Sequence, residues 1–309
     1  MDMPAGRNTA NSRGEMSLGD IIDSAVRLYR DNFQLFFGVT AVLYIPAALL
    51  TIALTADKQV ELMQLVQAQA GTSGGVEQDL DSTLRLFSLL GEYMLLSLPF
   101  YLIVQPIVAG TITFTANLRL NGEEVSISGA YKGFMKIFWG YLSAVVMYSL
   151  AWILGGFLLF VPGMLAAIVF SLTQESAVVE KAYGTRALSR SWELTRKHWG
   201  KVFLLGLLLF MISAVISYGI KSIADFALGV DSNNAEGLTA WAMALSGFVS
   251  SLVQIAILPF WHISWLFLYY DLESTTREMD VRNLAESLVK ALPGRAGGSG
   301  NDEPGDFIR

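Results

Sequence analysis

Four polar side chains interrupt the apolar segments of this 309-residue sequence and could do chemistry there: Glu92, Gln105, Gln254 and His262. A carboxylate among apolar residues can hold a proton or a cation. Glutamines close to prolines can line a solute site between interrupted helices. Each residue also has a structural alternative: Glu92 can reach water from the end of a span, the glutamines can satisfy carbonyls that nearby prolines free, and His262 can bond to a neighbouring helix.

A second group of candidates lies in and just before the stretch SRSWELTRKHWGKVFLLGLLLF, residues 189–210. At about 100° per residue, basic side chains fall on one helical face and tryptophans on the opposite face. Such a helix fits the membrane interface, and Gly200 permits a bend into the apolar segment. The alternative is that the basic residues only orient the chain. The candidates for contact with lipid headgroups are Arg186, Arg190, Arg196, Lys197, Trp192 and Trp199.

The sequence does not contain the residues and motifs that several kinds of catalysis and metal binding require. The sequence has no cysteine, only two histidines, and no H-E-x-x-H motif or cluster of acids, so we expect no metal site. No glycine loop is placed to hold nucleotide phosphates, and no pairing of a nucleophile with a base stands out. The sequence therefore predicts a protein that is not an enzyme, that has no cofactor and that does not bind nucleic acid.

The apolar residues come in blocks that fit membrane spans. Hydrophobic residues make up 53% of the chain and the mean hydropathy is +0.47. Five blocks lack Asp, Glu, Lys and Arg, and the third, residues 137–174, is too long for one span of about 20 residues. Because VPG stands at 161–163, we expect two helices there, joined by a tight turn. The six predicted spans are about 33–55, 93–117, 138–160, 162–178, 201–220 and 243–270.

Charge placement predicts the orientation of these spans. With six spans, 18 of the 21 basic residues fall on one side, and only Lys58, Arg85 and Lys221 fall on the other. Basic residues are enriched in cytoplasmic segments, so both termini are predicted to be cytoplasmic in a bacterial inner membrane. The polar N-terminal segment is not a secretory signal peptide, and we expect the first span to act as an uncleaved insertion signal.

The sequence also repeats one plan three times. An amphipathic helix precedes the first, third and fifth spans, and Arg30, Lys136 and Arg196 each stand three residues before an aromatic residue. Each returning span contains a proline, although proline is common in such helices generally. We expect three hairpins with interfacial helices on the cytoplasmic side, as parallel repeats within one domain over 17–292. Disordered tails are predicted for 1–16 and 293–309.

Four segments carry a resemblance to a known family. SLGDIIDSAVRLYRDNFQLFF, GFLLFVPGMLAAIVFSLTQESAVVEK, ALSRSWELTRKHWGKVFLL and LFLYYDLESTTREMDVRNLAE together resemble the bacterial glycerophosphoryl diester phosphodiesterase membrane domain and related uncharacterised multi-pass families. R-S-W-E-L-T-R and L-Y-Y-D-L are its most specific motifs. The resemblance implies a helical membrane domain with an accessory role. It does not imply the enzymatic activity, because no catalytic phosphodiesterase part is present in this sequence.

The sequence thus predicts an all-α, polytopic membrane protein, with two functions to compare. The first is a non-enzymatic accessory or scaffold protein that engages anionic lipid or another membrane protein at its cytoplasmic face. The alternative is a small transporter or channel that uses the proline-broken second and sixth spans. Membrane lipids are the expected partners in the first case, and the glutamines beside the prolines are the working residues in the second.

Overall fold

The computed structural model of the protein describes residues 15–71, 80–158, 160–229 and 240–291. Within these residues the chain forms eleven α-helices, one π-helical turn and no β-strand, which confirms the all-α prediction. The predicted tails lie outside the described residues, apart from residues 15 and 16. The helices are α1 Leu18–Asp31, α2 Phe33–Gly71, α3 Leu80–Pro99, the π-helical turn Phe100–Val104, α4 Gln105–Leu120, α5 Ile127–Met135, α6 Phe138–Leu158, α7 Phe160–Val169, α8 Thr173–Val179, α9 Thr185–Thr195, α10 Trp199–Ala227 and α11 Ala240–Ala291.

Five helical segments of the described chain are long and apolar enough to cross a membrane, by length and composition. They fit the membrane protein that the hydropathy blocks predict. The region of the predicted fourth span holds a shorter apolar helical segment, Gly163–Val179. The five segments are Phe33–Gln67, Ser82–Leu120, Phe138–Gly156, Trp199–Ala227 and Trp241–Val281.

The predicted amphipathic helices are present as α1, α5 and α9, and one to three residues separate each of them from the long apolar helix that follows. α1 starts with a capping box at the S-x-x-D start signal of residues 17–20, in which Ser17 Oγ accepts from the backbone N–H of Asp20 and the Asp20 carboxylate accepts from the N–H of Ser17. The bend before α10 lies at residues 196–198, one turn earlier than predicted. Gly200 is already helical, so the prediction that it forms the bend was wrong.

The predicted fourth span, 162–178, is interrupted between α7 and α8. At the break, the Val169 carbonyl accepts hydrogen bonds from Ser191 Oγ (2.9 Å) and Thr195 Oγ1 (2.7 Å) of α9. Ser191 Oγ also accepts from the N–H of Leu172 at 3.1 Å. These bonds replace helical ones, which makes the break tolerable among apolar residues. The VPG sequence at 161–163 lies inside α7 and is not the predicted turn.

α7 and α8 run back along α6. A Cβ atom on Gly163 would lie 2.8 Å from the backbone of Gly156, so the two helices are in backbone contact there. Further along, the N–H of Gly184 donates to Ser143 Oγ at 3.0 Å, near the start of α6. The small residues at these positions therefore allow close packing within the chain, which the sequence left open.

α11 is the central helix of the fold and packs against α1, α2, α4 and α10. Its 52 residues form one helix that continues through Pro259. α11 also continues beyond residue 270, the predicted end of the sixth span, and runs without a break to residue 291. Side chains of its middle part, among them Ile255, Ile263 and Leu266, are fully buried in the core.

Candidate functional site

A cavity of about 380 Å³ lies between α2, the end of α3 with the π-helical turn, and α11. We call it the polar cavity, because hydroxyls, side-chain amides and tyrosine rings form much of its wall. No Asp, Glu, Lys or Arg is among the residues that line it in the described part of the chain. Its polar wall consists of Tyr44, Thr51, Thr55, Gln59, Tyr93, Ser97, Tyr101, Gln105, Ser250, Ser251 and Gln254.

The polar cavity brings together Gln105 and Gln254, which are 149 positions apart and were predicted as a pair. In the described residues neither side-chain amide makes a hydrogen bond within the protein, although both side chains are half-buried. An amide carries two donors and an acceptor, and it gains from bonding whatever polar group enters the cavity. The structural alternative for the glutamines, bonding to freed carbonyls, is not what the structure shows.

The Ser and Thr hydroxyls of the cavity wall already donate hydrogen bonds to backbone carbonyls. Thr51, Thr55, Ser97, Ser250 and Ser251 each donate to the carbonyl four residues earlier, at 2.7–2.9 Å. This back-bonding is common for Ser and Thr in helices. It leaves the hydroxyl lone pairs as acceptors, so the cavity offers acceptors from the hydroxyls and both kinds of group from the amides.

A local helix irregularity positions Gln105. The N–H of Gln105 donates to the carbonyl of Phe100, five residues back, and closes a π-helical turn. Pro106 follows and has no N–H to donate to the preceding turn. π-Helical turns are rare and occur often at functional sites. The proline in the sequence marks the place of the irregularity, but the π turn itself is not visible in the sequence.

Glu92 pairs with Lys58 of α2, with 2.6 Å between carboxylate oxygen and ammonium nitrogen. Half of the Glu92 side chain is exposed, which agrees with the expectation that it reaches water. The residues that follow these two, Gln59 and Tyr93, line the polar cavity. The ion pair therefore lies beside the cavity, and the sequence did not predict Lys58 as its partner.

Of the four basic candidates on and near α9, one forms ion pairs and the other three form none in the described residues. Arg190 contacts Glu180 at 2.8 Å and Glu193 at 2.9 Å. Burial opposes the charge on Arg190, but its hydrogen bonds to Glu193 and Glu180 outweigh burial and raise its pKa above the usual value. In the described residues, Arg186, Arg196 and Lys197 are exposed and form no ion pair, and Trp192 and Trp199 are also exposed.

Two further polar contacts join α11 to the end of α8 and to α10, and sequence reasoning missed both. Tyr269 of α11 donates to the Glu180 carboxylate at 2.5 Å. Lys201 of α10 contacts the Asp271 carboxylate at 2.6 Å, and the other oxygen of this carboxylate accepts from the N–H of Met16. Only 3% of the Asp271 side chain is exposed. These partners are 70 to 255 positions apart in sequence, so no local pattern indicates them.

His262 and Glu175 lie apart from the polar cavity. His262 is buried in α11 at 9% exposure and does not line the cavity. Glu175 of α8 is almost completely buried, although the sequence treated it only as the end of an apolar block. In the described residues, no group of three or more His, Cys, Asp or Glu side chains lies together in a way that could hold a metal ion.

An apolar groove lies between the first half of α6 and the start of α9. Trp139, Leu142, Val146 and Met147 line it, together with the backbone region of Gly184 and Thr185. The exposed Arg186 follows directly in sequence. An apolar groove beside a cation matches the two parts of an anionic lipid, an acyl chain and a charged headgroup.

Comparison with known families gives one match. Residues 86–262, more than half of the chain, match the model of a family described as Domain of unknown function (DUF7847). The chain belongs to this family. The DUF7847 match contains Gln105, Gln254 and the whole of α9, but it ends before Tyr269 and Asp271. No curated protein and no solved structure matches the chain. The glycerophosphoryl diester phosphodiesterase membrane domain is not in this match, and the resemblance to it stays a prediction.

Proposed function

We propose that the protein is a small transporter that binds an uncharged, hydrogen-bonding solute in the polar cavity. The observation that carries this proposal is the pairing of Gln105 and Gln254 in one cavity, with both amides free of internal hydrogen bonds in the described chain. Polar groups in apolar helices are costly to leave unpaired, and a solute with hydroxyl or amide groups satisfies them. The absence of charged residues from the described wall favours a neutral solute over an ion.

An interrupted helix supports transport over simple storage of a ligand. The cavity wall includes the π-helical turn before Pro106, whereas α11 continues as one helix through Pro259, so the prediction that proline breaks the sixth span was wrong. Helix interruptions are typical of transporter binding sites. A break also lets one half of a helix move relative to the other, which alternating access requires. This is the second of the two functions that the sequence predicts, and the cavity now favours it.

The proposed orientation places six crossings in a bacterial inner membrane, with both termini cytoplasmic. The structure supplies one argument for the sixth crossing. α6 leads away from Ser143, and the broken α7–α8 pair returns to Gly184 beside it, so that the pair spans the same distance as α6. The arrangement as three hairpins with interfacial helices α1, α5 and α9 belongs to the same proposal.

The test uses purified protein in liposomes and apolar replacements of the two glutamines. Gln105→Leu and Gln254→Leu keep the side-chain size but remove the hydrogen bonds, and each lost bond of about 1 kcal/mol corresponds to roughly fivefold weaker solute binding. Influx of labelled polyols, sugars and small amides is measured beside that of charged solutes. We expect a neutral solute to enter faster than in protein-free liposomes and both variants to slow it.

Leu252→Ala is the matched control, because Leu252 lies on α11 two residues before Gln254 and its side chain is exposed. This variant should transport like the unmodified protein. Liposomes in which no solute of the panel enters faster than without protein would overturn the transport proposal. Equal losses in the control and in the glutamine variants would show that the effect is general destabilisation.

A second candidate function is the accessory role, and the apolar groove beside Arg186 favours it. Here the protein holds an anionic lipid and presents α9 to a membrane partner. Because Arg190 is engaged by Glu180 and Glu193, the informative variant is Arg186→Gln with Arg196→Gln and Lys197→Gln. Mass spectrometry of gently extracted protein should show an anionic lipid that the triple variant loses. Identical lipid content in both proteins would remove this candidate.

The relationship to the glycerophosphoryl diester phosphodiesterase membrane domain also remains a proposal. The residues of its two most specific motifs, R-S-W-E-L-T-R and L-Y-Y-D-L, include Ser191 at the helix break, Arg190 on Glu180, and Asp271 on Lys201. All three make contacts between helices. A shared fold explains the resemblance without a shared reaction, and we propose a protein that is not an enzyme.

A further inference from the structure

Glu175 carries a carboxyl group in a buried environment that disfavours its charged form. It lies in α8, three residues after the break that separates α8 from α7, and 2% of its surface is exposed. Its Oε2 atom is buried and has no hydrogen-bond partner in the described residues. A buried carboxylate without a partner is strongly disfavoured relative to the neutral acid. An ionisable group within apolar helices is a functional candidate for the same reason.

The groups around Glu175 do not compensate a negative charge. Tyr141 and Tyr148 of α6 are near enough for the charge of Glu175 to act on them, and neither side chain is a cation. The Tyr141 hydroxyl donates to Gln174 Oε1 at 2.7 Å and is therefore not available to Glu175. On α8 itself, the hydroxyls of Thr173 and Ser176 donate to backbone carbonyls.

None of the charged groups on the other helices that pack against α8 pairs with Glu175 in the described residues. On α9, Arg190 pairs with Glu180 and Glu193. On α11, Tyr269 bonds to Glu180 and Asp271 pairs with Lys201, while His262 is buried. α4 carries Arg119, whose buried Nε atom has no hydrogen-bond partner, and α9 also carries the exposed Arg186. In the described residues neither of them forms an ion pair with Glu175, so no cation holds Glu175 in its ionised form.

We propose that Glu175 is a proton-binding site whose proton is exchanged when the α7–α8 break opens. Binding forms one O–H bond between a proton from water and the carboxylate, and release returns that proton to water. The break is the element that can admit water, because side-chain hydroxyls of α9, those of Ser191 and Thr195, bond to the Val169 carbonyl there in place of a helical N–H. Coupling of this proton to solute movement rests on the transport function proposed above, whereas the proton site itself does not.

The first experiment tests the proton site without any solute. Infrared spectra of the protein in lipid membranes are recorded from about pH 5 to about pH 10, and the band of protonated carboxyl groups is followed. Exposed glutamates ionise near pH 4, so they contribute little above about pH 6, and the comparison between variants uses the spectra above that pH. We expect a band that decreases as the pH rises in the unmodified protein. The band should be missing in Glu175→Gln, shifted in Glu175→Asp, and unchanged in Glu123→Gln, which alters an exposed residue.

Two spectral outcomes would overturn the proton site. Identical spectra for the unmodified protein and Glu175→Gln would show that Glu175 is ionised throughout. A band that persists unchanged to the highest pH would show an acid that never releases its proton and has only a structural role. Should Glu175→Gln not fold, Glu175→Asp decides, because its band must differ in frequency from that of the unmodified protein.

The second experiment tests the coupling, and its failure is distinct from that of the first. In liposomes that carry a transported neutral solute, an inward proton gradient should accelerate uptake by the unmodified protein severalfold. Glu175→Gln should lose this acceleration while solute still stabilises it against heat. Uptake that does not depend on the proton gradient would overturn the coupling without contradicting the proton site. Liposomes that transport no solute would have the same consequence.

Discussion

The ion pair between Lys201 and Asp271 shows how much depends on single side chains in an apolar environment. It joins the start of α10 to the middle of α11, and the Asp271 carboxylate also accepts the N–H of Met16 before α1. Three segments therefore meet at one buried carboxylate. Breaking a buried pair on one side leaves an uncompensated charge, which costs more than the pair itself contributes.

We expect Lys201→Met to lower the free energy of unfolding by roughly 3–5 kcal/mol, because Asp271 then stays buried without its counter-charge. The measurement is denaturant-induced unfolding in detergent micelles, followed by tryptophan fluorescence. Adding Asp271→Asn to Lys201→Met should restore part of the loss, since the second change removes the stranded charge.

Lys221→Met provides the comparison. Lys221 contacts Asp225 at the same 2.6 Å, but 43% of its side chain is exposed. Exposed pairs contribute about 0–1 kcal/mol, so this variant should unfold almost like the unmodified protein. Losses of equal size at Lys201 and Lys221 would contradict the argument that burial sets the cost.

Sequence reasoning reached some of these residues and missed others for a physical reason. Gln105 and Gln254 stand out because polar residues beside prolines are rare within apolar blocks, and the structure brings them together. Glu175 was missed because it stands at the edge of such a block, where an acid normally reaches water. Only the packing of α4, α6, α9 and α11 around α8 buries it.

At the scale of single helices, the periodicity of the sequence predicted the amphipathic helices better than it predicted the residues of the polar cavity. The amphipathic pattern and the S-x-x-D start signal correctly gave α1, and the same pattern correctly gave α5 and α9. The break between α7 and α8 was not foreseen, since residues 170–172 contain neither proline nor glycine. Its cause is tertiary, because hydroxyls from α9 take over the carbonyl that the helix leaves.

The contact of α6 with α7 depends on the absence of a side chain at Gly163. A Cβ atom there would stand 2.8 Å from backbone atoms of Gly156, which cannot rotate away. We expect Gly163→Ala to force the helices apart and lower the free energy of unfolding by about 1–3 kcal/mol, the usual range for overpacking. Thermal unfolding in detergent, followed by circular dichroism, measures the change.

Gly156→Ala is the matched control from the other helix of the same contact. A Cβ atom on Gly156 meets nothing within 4 Å, so the change adds helix propensity without a clash. It should leave the unfolding temperature unchanged or raise it slightly. A lower unfolding temperature for Gly156→Ala than for Gly163→Ala would show that the contact is not arranged as described.

At the scale of the whole molecule, the number of crossings depends on the α7–α8 pair. Five segments of the described chain meet the length and hydropathy of a span, and the sixth is short and broken. With six crossings the loops before α5 and α9 and the end of α11 share one side. With five, α9 and the end of α11 move to the side opposite the loop before α5. Charge bias in the sequence favours six, but it cannot detect that the sixth is discontinuous.

The absence of cysteine from the sequence makes a direct test possible, because every introduced cysteine is the only thiol. Asp57→Cys, Glu123→Cys, Thr185→Cys and Arg277→Cys all place a thiol at an exposed position. In intact cells a membrane-impermeant maleimide should label only Asp57→Cys, and the other three should need permeabilised cells. Asp57→Cys also serves as the control that the reagent reaches its target.

Labelling of Thr185→Cys and Arg277→Cys in intact cells, with Glu123→Cys protected, would instead establish five crossings. The broken α7–α8 pair would then enter the membrane and return on the same side.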